Sequence, residues 1–344
     1  MTFPNRQILL ASRPSGEPTP DNFRLVQAEA PRPGPGQMLL RTIYLSLDPY
    51  MRGRMNAGPS YARPVEVGEV MEGRAVAEVV ESNLPNYRPG DVVFAPTGWQ
   101  EYALSDGKET RKLDPALGPV SYALGVLGMP GLTAYTGLLT IGQPRPGETV
   151  VVAAASGAVG SLVGQIAKIK RCRAIGIAGG EKKCRDVGEE LGLDACLDHR
   201  GPTLPERLKE ACPSGIDVYF ENVGGKVFDA VLPLLNNFAR VPVCGLIAHY
   251  NQTEPSPGPD RVPALLLATL VKRLTFRGFI VGDFASQLPQ FFADMSGWLK
   301  EGRVKYREDV TDGLENAPRE LIGLLKGENF GKKIIRVGTT LAGR

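Results

Sequence analysis

Histidine and cysteine are scarce in this chain of 344 residues, and their positions restrict its chemistry. The histidines are His199 and His249, and none of the five cysteines precedes Cys172. A catalytic zinc site needs several Cys, His or carboxylate ligands, so the sequence argues against zinc-assisted catalysis and we predict no metal ligands. A Ser–His–acid hydrolase is also disfavoured, because no G-x-S-x-G sequence occurs.

The chain lacks an excess of charge of either sign. Lys and Arg total 40 against 37 Asp and Glu, a net charge of +3, which argues against a nucleic-acid partner. The cysteines are odd in number and form no CxxC pair, so a disulfide framework is not expected and a reducing compartment fits. Because the start of the chain, MTFPNRQILL, also lacks the pattern of a signal peptide, we predict a cytoplasmic protein.

Two stretches without charge, residues 115–144 and 149–167, are long enough to cross a bilayer. Glycine and proline interrupt the first, and glycine, alanine and serine make up half of the second. A membrane span is instead dominated by strongly apolar side chains. We therefore predict buried core in both stretches and no membrane partner.

Two patterns divide the chain. In residues 1–118, short apolar runs alternate with proline and glycine, which is typical of a β-rich domain. In residues 119–303, strands alternate with helices, beginning with a strand at 148–155, and this predicts a parallel sheet with both faces covered. Residues 304–344 return to the first pattern. We predict an α/β protein, a Rossmann doubly wound sheet inserted into a discontinuous β-rich domain.

A glycine-rich turn, AASGAVGS at 154–161, joins the first predicted strand of the second region to its helix. It has the form A-x-G-x-x-G, in which Gly157 lets the backbone approach a pyrophosphate and Gly160 lets helix and strand pack closely. The helix N-terminus would offer N–H groups to the phosphates. This context predicts dinucleotide binding; a purely structural turn is the alternative.

The next predicted strand ends in Ala178-Gly179-Gly180, where an NAD site would have an acidic residue for the ribose. Lys182, Lys183 and Arg185 follow directly. A carboxylate would repel a 2′-phosphate and a lysine attracts one. The missing acid and the added bases favour NADP(H) over NAD.

Eight segments, taken in order, resemble one family. They are LSLDPYMRGRM (45–55), GMPGLTAYTGL (128–138), AASGAVGSLVGQIAK (154–168), AGGEKKC (178–184), FENVGG (220–225), CGLIAHYN (244–251), RGFIVGDF (277–284) and NFGKKIIRVG (329–338). Together they resemble the zinc-independent medium-chain dehydrogenase/reductases, in the branch of prostaglandin/leukotriene reductases and curcumin reductases. The resemblance implies a GroES-like fold for the β-rich, catalytic domain. It also implies NADPH-dependent reduction of the C=C bond of α,β-unsaturated ketones and aldehydes.

The resemblance further implies which residues bind the cofactor. Gly157, Ala158, Val159 and Gly160 would hold the pyrophosphate, and Lys183 the 2′-phosphate. His199 stands where the prostaglandin reductases have a tyrosine near that phosphate. The rest of the cofactor would be lined by Asn222, Cys244, Gly245, Tyr250, Phe279, Ile280, Val281 and Asn329.

Hydride delivered to the β-carbon of an enone places negative charge on the carbonyl oxygen, so a hydrogen-bond donor there stabilises the transition state. Tyr50 and Tyr250 match family tyrosines that face the substrate cleft, and we predict that they are the catalytic residues. Either could protonate the α-carbon, as could water or the cofactor ribose. The alternative for each is a core aromatic whose hydroxyl is already bonded.

We therefore predict a metal-independent enone or alkenal reductase acting on small molecules. The alternatives are an NADPH-dependent quinone oxidoreductase and an NADPH-binding protein without turnover. RGFIV (277–281) is predicted to be an apolar strand near the end of the Rossmann unit, where family dimers join their sheets edge to edge. Because an unpaired strand of this kind invites aggregation, a homodimer is predicted.

Overall fold

The computed structural model describes residues 3–254 and 259–338. These residues form two compact units. The first joins the chain up to Gly125 to the chain from Glu308 onward, and the second is Val126–Arg307. The predicted boundaries at 118/119 and 303/304 lie near these divisions and stay predictions.

Strands and helices are numbered in chain order. The first unit begins with β1 (Pro4–Leu10), β2 (Phe23–Glu29), β3 (Met38–Ser46), α1 (Met51–Arg54), β4 (Ala75–Ser82), β5 (Val92–Ala95), β6 (Tyr102–Ser105) and β7 (Arg111–Lys112). The second unit contains α2 (Met129–Thr136), β8 (Thr149–Ala153), α3 (Gly160–Ile169), β9 (Arg173–Ala178), α4 (Glu181–Glu189), β10 (Ala195–Asp198), α5 (Leu204–Ala211), β11 (Ile216–Phe220), α6 (Gly225–Val231), β12 (Leu235–Val243), α7 (Val262–Lys272), β13 (Thr275–Gly278) and α8 (Leu288–Lys300). The first unit is completed by β14 (Glu308–Asp312), α9 (Ala317–Leu325) and β15 (Lys332–Arg336).

The sheet of the first unit is built around β3, which pairs antiparallel with β4, β6 and β15. Its order is β14-β15-β3-β4-β5-β7. The C-terminal strand thus completes a sheet that the N-terminal strands begin, with Ile334 opposite Ser46. The predicted β-rich domain is confirmed, and its apolar core includes Leu45, Met51 and Trp99.

The sheet of the second unit is parallel, in the order β10-β9-β8-β11-β12-β13. From the central strand β8 the chain first builds outward through β9 and β10, and then returns to build the other side. The direction reverses between β8 and β11, the point at which such sheets bind ligands. All five residues of β8, TVVVA, are buried, which explains its uninterrupted apolar run. The predicted Rossmann sheet is confirmed.

The two uncharged stretches contribute short helices and a strand to this unit, and neither forms one long helix. The first contains α2 and a π-helical segment (Gly137–Gly142), and the second contains β8 and most of α3. Within residues 3–254 and 259–338, no helix has both the length and the apolar character needed to cross a membrane.

The strand predicted at 277–281 is only partly correct. β13 begins earlier, at Thr275, and ends at Gly278. Its neighbour β12 ends at Val243, and Val243 is the register partner of Gly278. Phe279, Ile280 and Val281 therefore have no strand to pair with, and a 3₁₀ helix begins at Val281.

Candidate active site

The turn after β8 presents backbone at the start of α3. Ala154 has a left-handed φ of 54°, and its carbonyl accepts the Gly157 N–H at 2.9 Å. A Cβ on Gly160 would lie 2.2 Å from the Ala154 oxygen, so glycine is needed for the helix to begin this close to the strand. Gly157, Ala158 and Val159 are partly exposed. The four residues predicted for the pyrophosphate thus lie together at a helix N-terminus, which attracts anions.

A basic cluster covers the ends of β9 and β10. A Cβ on Gly179 would lie 3.1 Å from both His199 Nε2 and Arg200 Nε, so an imidazole and a guanidinium lie directly over this glycine. The Asp198 carboxylate below them accepts the N–H groups of Gly180 at 2.8 Å and Arg200 at 2.9 Å. Asp198 thereby fixes the turn after β9 and the turn after β10, and the latter carries His199 and Arg200.

Burial and the neighbouring charges shift the pKa values of Asp198 and His199 in this cluster. Burial alone would raise the pKa of Asp198, but the two N–H donors and the neighbouring cations lower it. Burial lowers the pKa of His199, and the charges of Arg200 and Lys183 lower it further against the opposing pull of Asp198. The lowered pKa favours the neutral imidazole. Lys183 lies in the first turn of α4, whereas the neighbouring Lys182 forms an ion pair with Asp186 at 2.9 Å.

Arg200 and Asp198 were missed by sequence reasoning, which considered the end of β9 and, after β10, only His199. The signal was available in the predicted topology. β9 and β10 are adjacent parallel strands, with Asp198 opposite Ala178, so the residues that follow each strand meet at one edge of the sheet. A charged residue after β10 is then a neighbour of the β9 tip.

The switch between β8 and β11 is bridged by Asn222, whose side chain donates to the Ala153 carbonyl at 2.8 Å. Beside it, the buried carboxylate of Glu221 accepts the N–H groups of Val223 at 2.6 Å and Gly224 at 2.8 Å. Burial raises the pKa of Glu221, and these N–H donors oppose the rise. Glu221 was not predicted as a site residue, because an acid directly after an apolar strand gives no sequence signal of this backbone role.

The segment after β12 packs onto the same turn. The Cys244 N–H donates to the Glu221 carbonyl at 2.9 Å, and burial together with the Glu221 charge raises the pKa of the Cys244 thiol to about 12. The Tyr250 hydroxyl accepts the Leu246 N–H at 3.4 Å and lies 3.0 Å from where a Cβ on Gly245 would be. The structure thus brings Cys244, Gly245 and Tyr250 next to Asn222.

His249 contributes to this turn as an acceptor. Its Nε2 accepts the Gly225 N–H at 3.2 Å, and its Nδ1 lies 2.8 Å from the Gln252 amide oxygen. Gly224, with a φ of 76°, leaves room for the ring, because a Cβ there would lie 2.8 Å from the imidazole. The histidine therefore holds the start of α6 in place.

Phe279, Ile280 and Val281 do not share one environment. The Phe279 ring packs edge-on against Phe220, with centroids 6.4 Å apart, and both rings fill the space where a Cβ on Gly137 would be. Ile280 is 40% exposed, and Val281 is partly exposed. Phe279 thus packs within this unit, and Ile280 is the most exposed of the three.

The remaining predicted residues, Tyr50 and Asn329, belong to the first unit. Burial foremost, and then the Asp48 and Glu72 carboxylates, raise the pKa of Tyr50 well above its ordinary value. The Arg54 guanidinium lies 5.6 Å from the ring centroid. The Tyr50 hydroxyl therefore keeps its proton over the whole working pH range and can act as a donor.

Asn329 lies in the loop before β15, where its side chain donates to the Gly331 carbonyl at 2.8 Å. At the start of β15, the buried ammonium of Lys332 donates to the Leu47 carbonyl at 2.6 Å and the Asp48 carboxylate at 3.0 Å. This buried pair ties the end of β3 to β15, and Tyr50 follows Asp48 after one proline.

Comparison with known proteins extends over both units. Two protein families match: "N-terminal domain of oxidoreductase" over residues 6–113, and "Zinc-binding dehydrogenase" over residues 158–298. The chain is 58% identical over 334 residues to the NADPH-dependent curcumin reductase of Escherichia coli (strain K12), covering 97% of each protein. It is 42% identical over 327 residues to prostaglandin reductase 1 of Bos taurus, covering 93% of this chain and 95% of the relative.

The chain belongs to the medium-chain dehydrogenase/reductase superfamily, in the branch of the curcumin and prostaglandin reductases. The family predicted from the eight motifs is confirmed. Within this branch it is also 39% identical over 340 residues to the NADP⁺-dependent 2-alkenal reductase of Nicotiana tabacum, covering 97% of each. The crystal structure of CurA in complex with NADPH from Vibrio vulnificus superposes with a TM-score of 0.94 at 55% identity, covering 97% of this chain and 99% of the other.

The second family carries zinc in its description, whereas this reductase has few residues to bind it. Across the described ranges, no three His, Cys, Asp or Glu side chains form a group that could hold a metal ion. Its sequence has two histidines, and both lie in the second unit with other contacts. His199 lies over Gly179, and His249 accepts the Gly225 N–H.

Proposed function

We propose that this chain is an NADPH-dependent reductase of the C=C bond in α,β-unsaturated ketones and aldehydes. The observation that carries the proposal is its similarity, over nearly the full length of both proteins, to reductases of curcumin and 2-alkenals. The glycine turn and the basic cluster support the binding of the cofactor. The protonated hydroxyl of Tyr50 supports a role as hydrogen-bond donor to the substrate.

The residues of the second unit fit NADPH. Gly160 permits the close approach of α3 to β8, because a Cβ there would lie 2.2 Å from a carbonyl oxygen. The N-terminus of α3 suits the pyrophosphate. Lys183, His199 and Arg200 together suit a 2′-phosphate, since cationic and N–H donors make strong bonds to phosphate oxygens. NADPH supplies the hydride that the reduction requires.

The roles of the chain's own side chains follow from charge. When negative charge develops on the substrate carbonyl oxygen, a neutral phenol can donate to it, and an ionised one cannot. The raised pKa of Tyr50 keeps this donor protonated. Tyr250 is the second candidate, although its hydroxyl already accepts the Leu246 N–H. Either hydroxyl can also pass a proton to the α-carbon.

The function is tested by following NADPH consumption with a linear enone, an enal, a quinone and a simple ketone, with NADH in parallel. We expect rapid turnover of the enone and enal with NADPH and little with the simple ketone, in which no conjugated double bond accepts hydride. Activity confined to the quinone would replace the proposal with quinone reduction. Tight NADPH binding with all four acceptors inert would indicate a protein without this turnover.

Cofactor choice gives a separate prediction at the basic cluster. Arg200→Ala and Lys183→Ala should each raise the dissociation constant for NADPH by about tenfold, because each removes a charged hydrogen bond to the 2′-phosphate. The constant for NADH should stay unchanged. Fluorescence titration with both nucleotides measures the ratio of the NADPH and NADH dissociation constants in each variant. Lys182→Ala is the matched control, since Lys182 is paired with Asp186; equal losses for NADPH and NADH would contradict the assignment.

We further propose that the reductase is a homodimer formed by its second unit. Five apolar residues of α7 are unusually exposed: Val262, Leu266, Leu267, Leu270 and Val271, at 55 to 75%. α7 packs on β12, and the next strand of the sheet, β13, is its last. An edge strand next to an apolar helix face is a surface that a second copy can cover in a two-fold arrangement.

The dimer predicts the effect of charge on α7. Leu267→Asp with Leu270→Asp should convert the protein from a dimer to a monomer in light scattering, because the carboxylates would be buried unpaired in the interface. Leu25→Asp is the control, a change at a leucine that is 49% exposed on β2. A wild-type protein that is already monomeric at micromolar concentration would contradict the proposal.

A cytosolic location is also proposed. It rests on the cysteines, all five of which are free thiols, as expected in a reducing compartment.

A further inference from the structure

Two of the free thiols face each other beside the basic cluster. Cys184 lies in the first turn of α4, directly after Lys183, and Cys196 lies in β10. Their side chains are hydrogen-bonded to each other. The Cys196 sulfur is 3.3 Å from where a Cβ on Gly176, its register partner in β9, would be. Because α4 packs on β9 and β10, the two thiols meet between helix and sheet.

The pair differs from the other cysteines in combining partial exposure with a neighbouring thiol. Cys184, Cys196 and Cys244 are partly exposed, whereas Cys172 and Cys212 are buried. The Cys172 thiol donates to the Arg145 carbonyl, and Cys244 lies at the other side of the switch, against Glu221. Within the described residues, Cys184 and Cys196 are therefore the two cysteines that are both partly exposed and next to each other.

The surroundings shift the pKa values of the two thiols in opposite directions. The hydrogen bond from Cys196, followed by the Ala178 N–H and the Arg207 charge, lowers the pKa of Cys184 against burial and the Asp198 charge. The same bond, together with burial, raises the pKa of Cys196. A thiolate in the first turn of a helix is also favoured by the helix dipole. Because Cys184 lies in the first turn of α4, we expect it to be the nucleophile and Cys196 to be the thiol that attacks it after oxidation.

We propose that Cys184 and Cys196 form a redox modification site, which a hydroperoxide converts to a disulfide that weakens the binding of NADPH. The Cys184 thiolate attacks the peroxide, an S–O bond forms, the O–O bond breaks, and the alcohol or water leaves. The Cys196 sulfur then attacks the sulfenic acid, the S–S bond forms and water leaves. Two thiols and one hydroperoxide thus give one disulfide, one alcohol (or water) and one water, with two electrons passing to the peroxide.

The disulfide would act on both segments that carry the basic cluster, the start of α4 and the turn after β10. It contracts a hydrogen-bonding contact to a covalent length of about 2.05 Å, so the first turn of α4 must move toward β10. Lys183 precedes Cys184 directly, and Asp198, which holds the Gly180 and Arg200 turns, lies two residues beyond Cys196. This consequence rests on the proposed NADPH-dependent function, whereas disulfide formation does not.

The chemical step is tested on the full chain with hydrogen peroxide, followed by alkylation, proteolysis and mass spectrometry. We expect a peptide pair joined through Cys184 and Cys196, lighter by two hydrogens, before Cys172, Cys212 or Cys244 reacts. Cys196→Ser should give no bridge and leave Cys184 as a sulfenic acid that a diketone probe captures. Cys184→Ser should give neither product, and Cys172→Ser should form the bridge as the wild type does. Two thiols that both remain open to alkylation after peroxide would overturn the proposal.

The consequence is tested by nucleotide titration of the same samples. The oxidised wild type should bind NADPH about tenfold more weakly, the loss expected for one charged hydrogen bond. NADH binding should be unchanged, a thiol reductant should restore the affinity, and Cys196→Ser should show no change. A bridged protein with unaltered NADPH affinity would overturn the regulatory claim. A failure of the reduced protein to bind NADPH would instead reject the proposed function, and would be seen before any oxidant is added.

Discussion

Tyr50→Phe is expected to lower kcat for reduction of a linear enone by about 10²–10³, with the dissociation constant for NADPH unchanged. The loss is that of one donor to a developing oxyanion. The raised pKa of Tyr50 keeps its hydroxyl a donor at every working pH, and phenylalanine preserves the ring that packs near Arg54. Because the donor acts mainly on the charged transition state, KM should change much less than kcat.

Tyr250→Phe should cost less, about tenfold, since its hydroxyl is engaged by the Leu246 N–H and serves partly to shape the turn. Steady-state and single-turnover rates with the same enone compare the two. Tyr61→Phe is the matched control: its ring is 60% exposed and lies 4.3 Å from the Arg54 guanidinium carbon. A full rate in Tyr50→Phe with a large loss in Tyr250→Phe would transfer the donor role to Tyr250.

The architecture of this reductase was predictable because its signals are local. A strand buried on both faces needs a continuous apolar run, and β8 has one. The turn that follows needs glycine at a fixed offset, and the reason is visible at Gly160, where any side chain would collide with Ala154. Periodicity and glycine spacing are properties of neighbouring residues, so the sequence contains them directly.

The features that escaped prediction depend on contacts between distant segments. Arg200 covers Gly179 only because β10 is the neighbour of β9. The end of β13 is fixed by the end of β12, and no residue of RGFIV itself records that limit. Asn222, which stays a predicted cofactor residue, also donates its side-chain amide to the Ala153 carbonyl across the switch, a contact that its motif does not indicate. Such roles arise from topology, which a linear motif does not state.

The same is true of the ion pair beneath Tyr50, which joins residues 48 and 332. Asp48→Ala is expected to lower the free energy of unfolding by about 3–5 kcal/mol, the usual cost of leaving one member of a buried pair without its partner. The Lys332 side chain is 1% exposed, and in the variant its ammonium would retain the Leu47 carbonyl. Chemical denaturation measures the loss.

The pH dependence of Asp48→Ala gives the sharper test of this cause. Burial lowers the pKa of Lys332 from its ordinary 10.5, and Asp48 and Glu308 oppose that shift. Without Asp48 the pKa falls further, so the folded state releases its proton before the unfolded state does. The cost of burying the charged Lys332 side chain is fully present below the pKa of Lys332 in the folded variant, and it disappears as the pH rises through 10.5. The variant should therefore regain stability relative to the wild type at alkaline pH. Asp312→Ala, which breaks the exposed pair with Arg336, should change little at any pH. A loss for Asp48→Ala that is small, or that does not vary with pH, would show that Lys332 does not depend on this carboxylate.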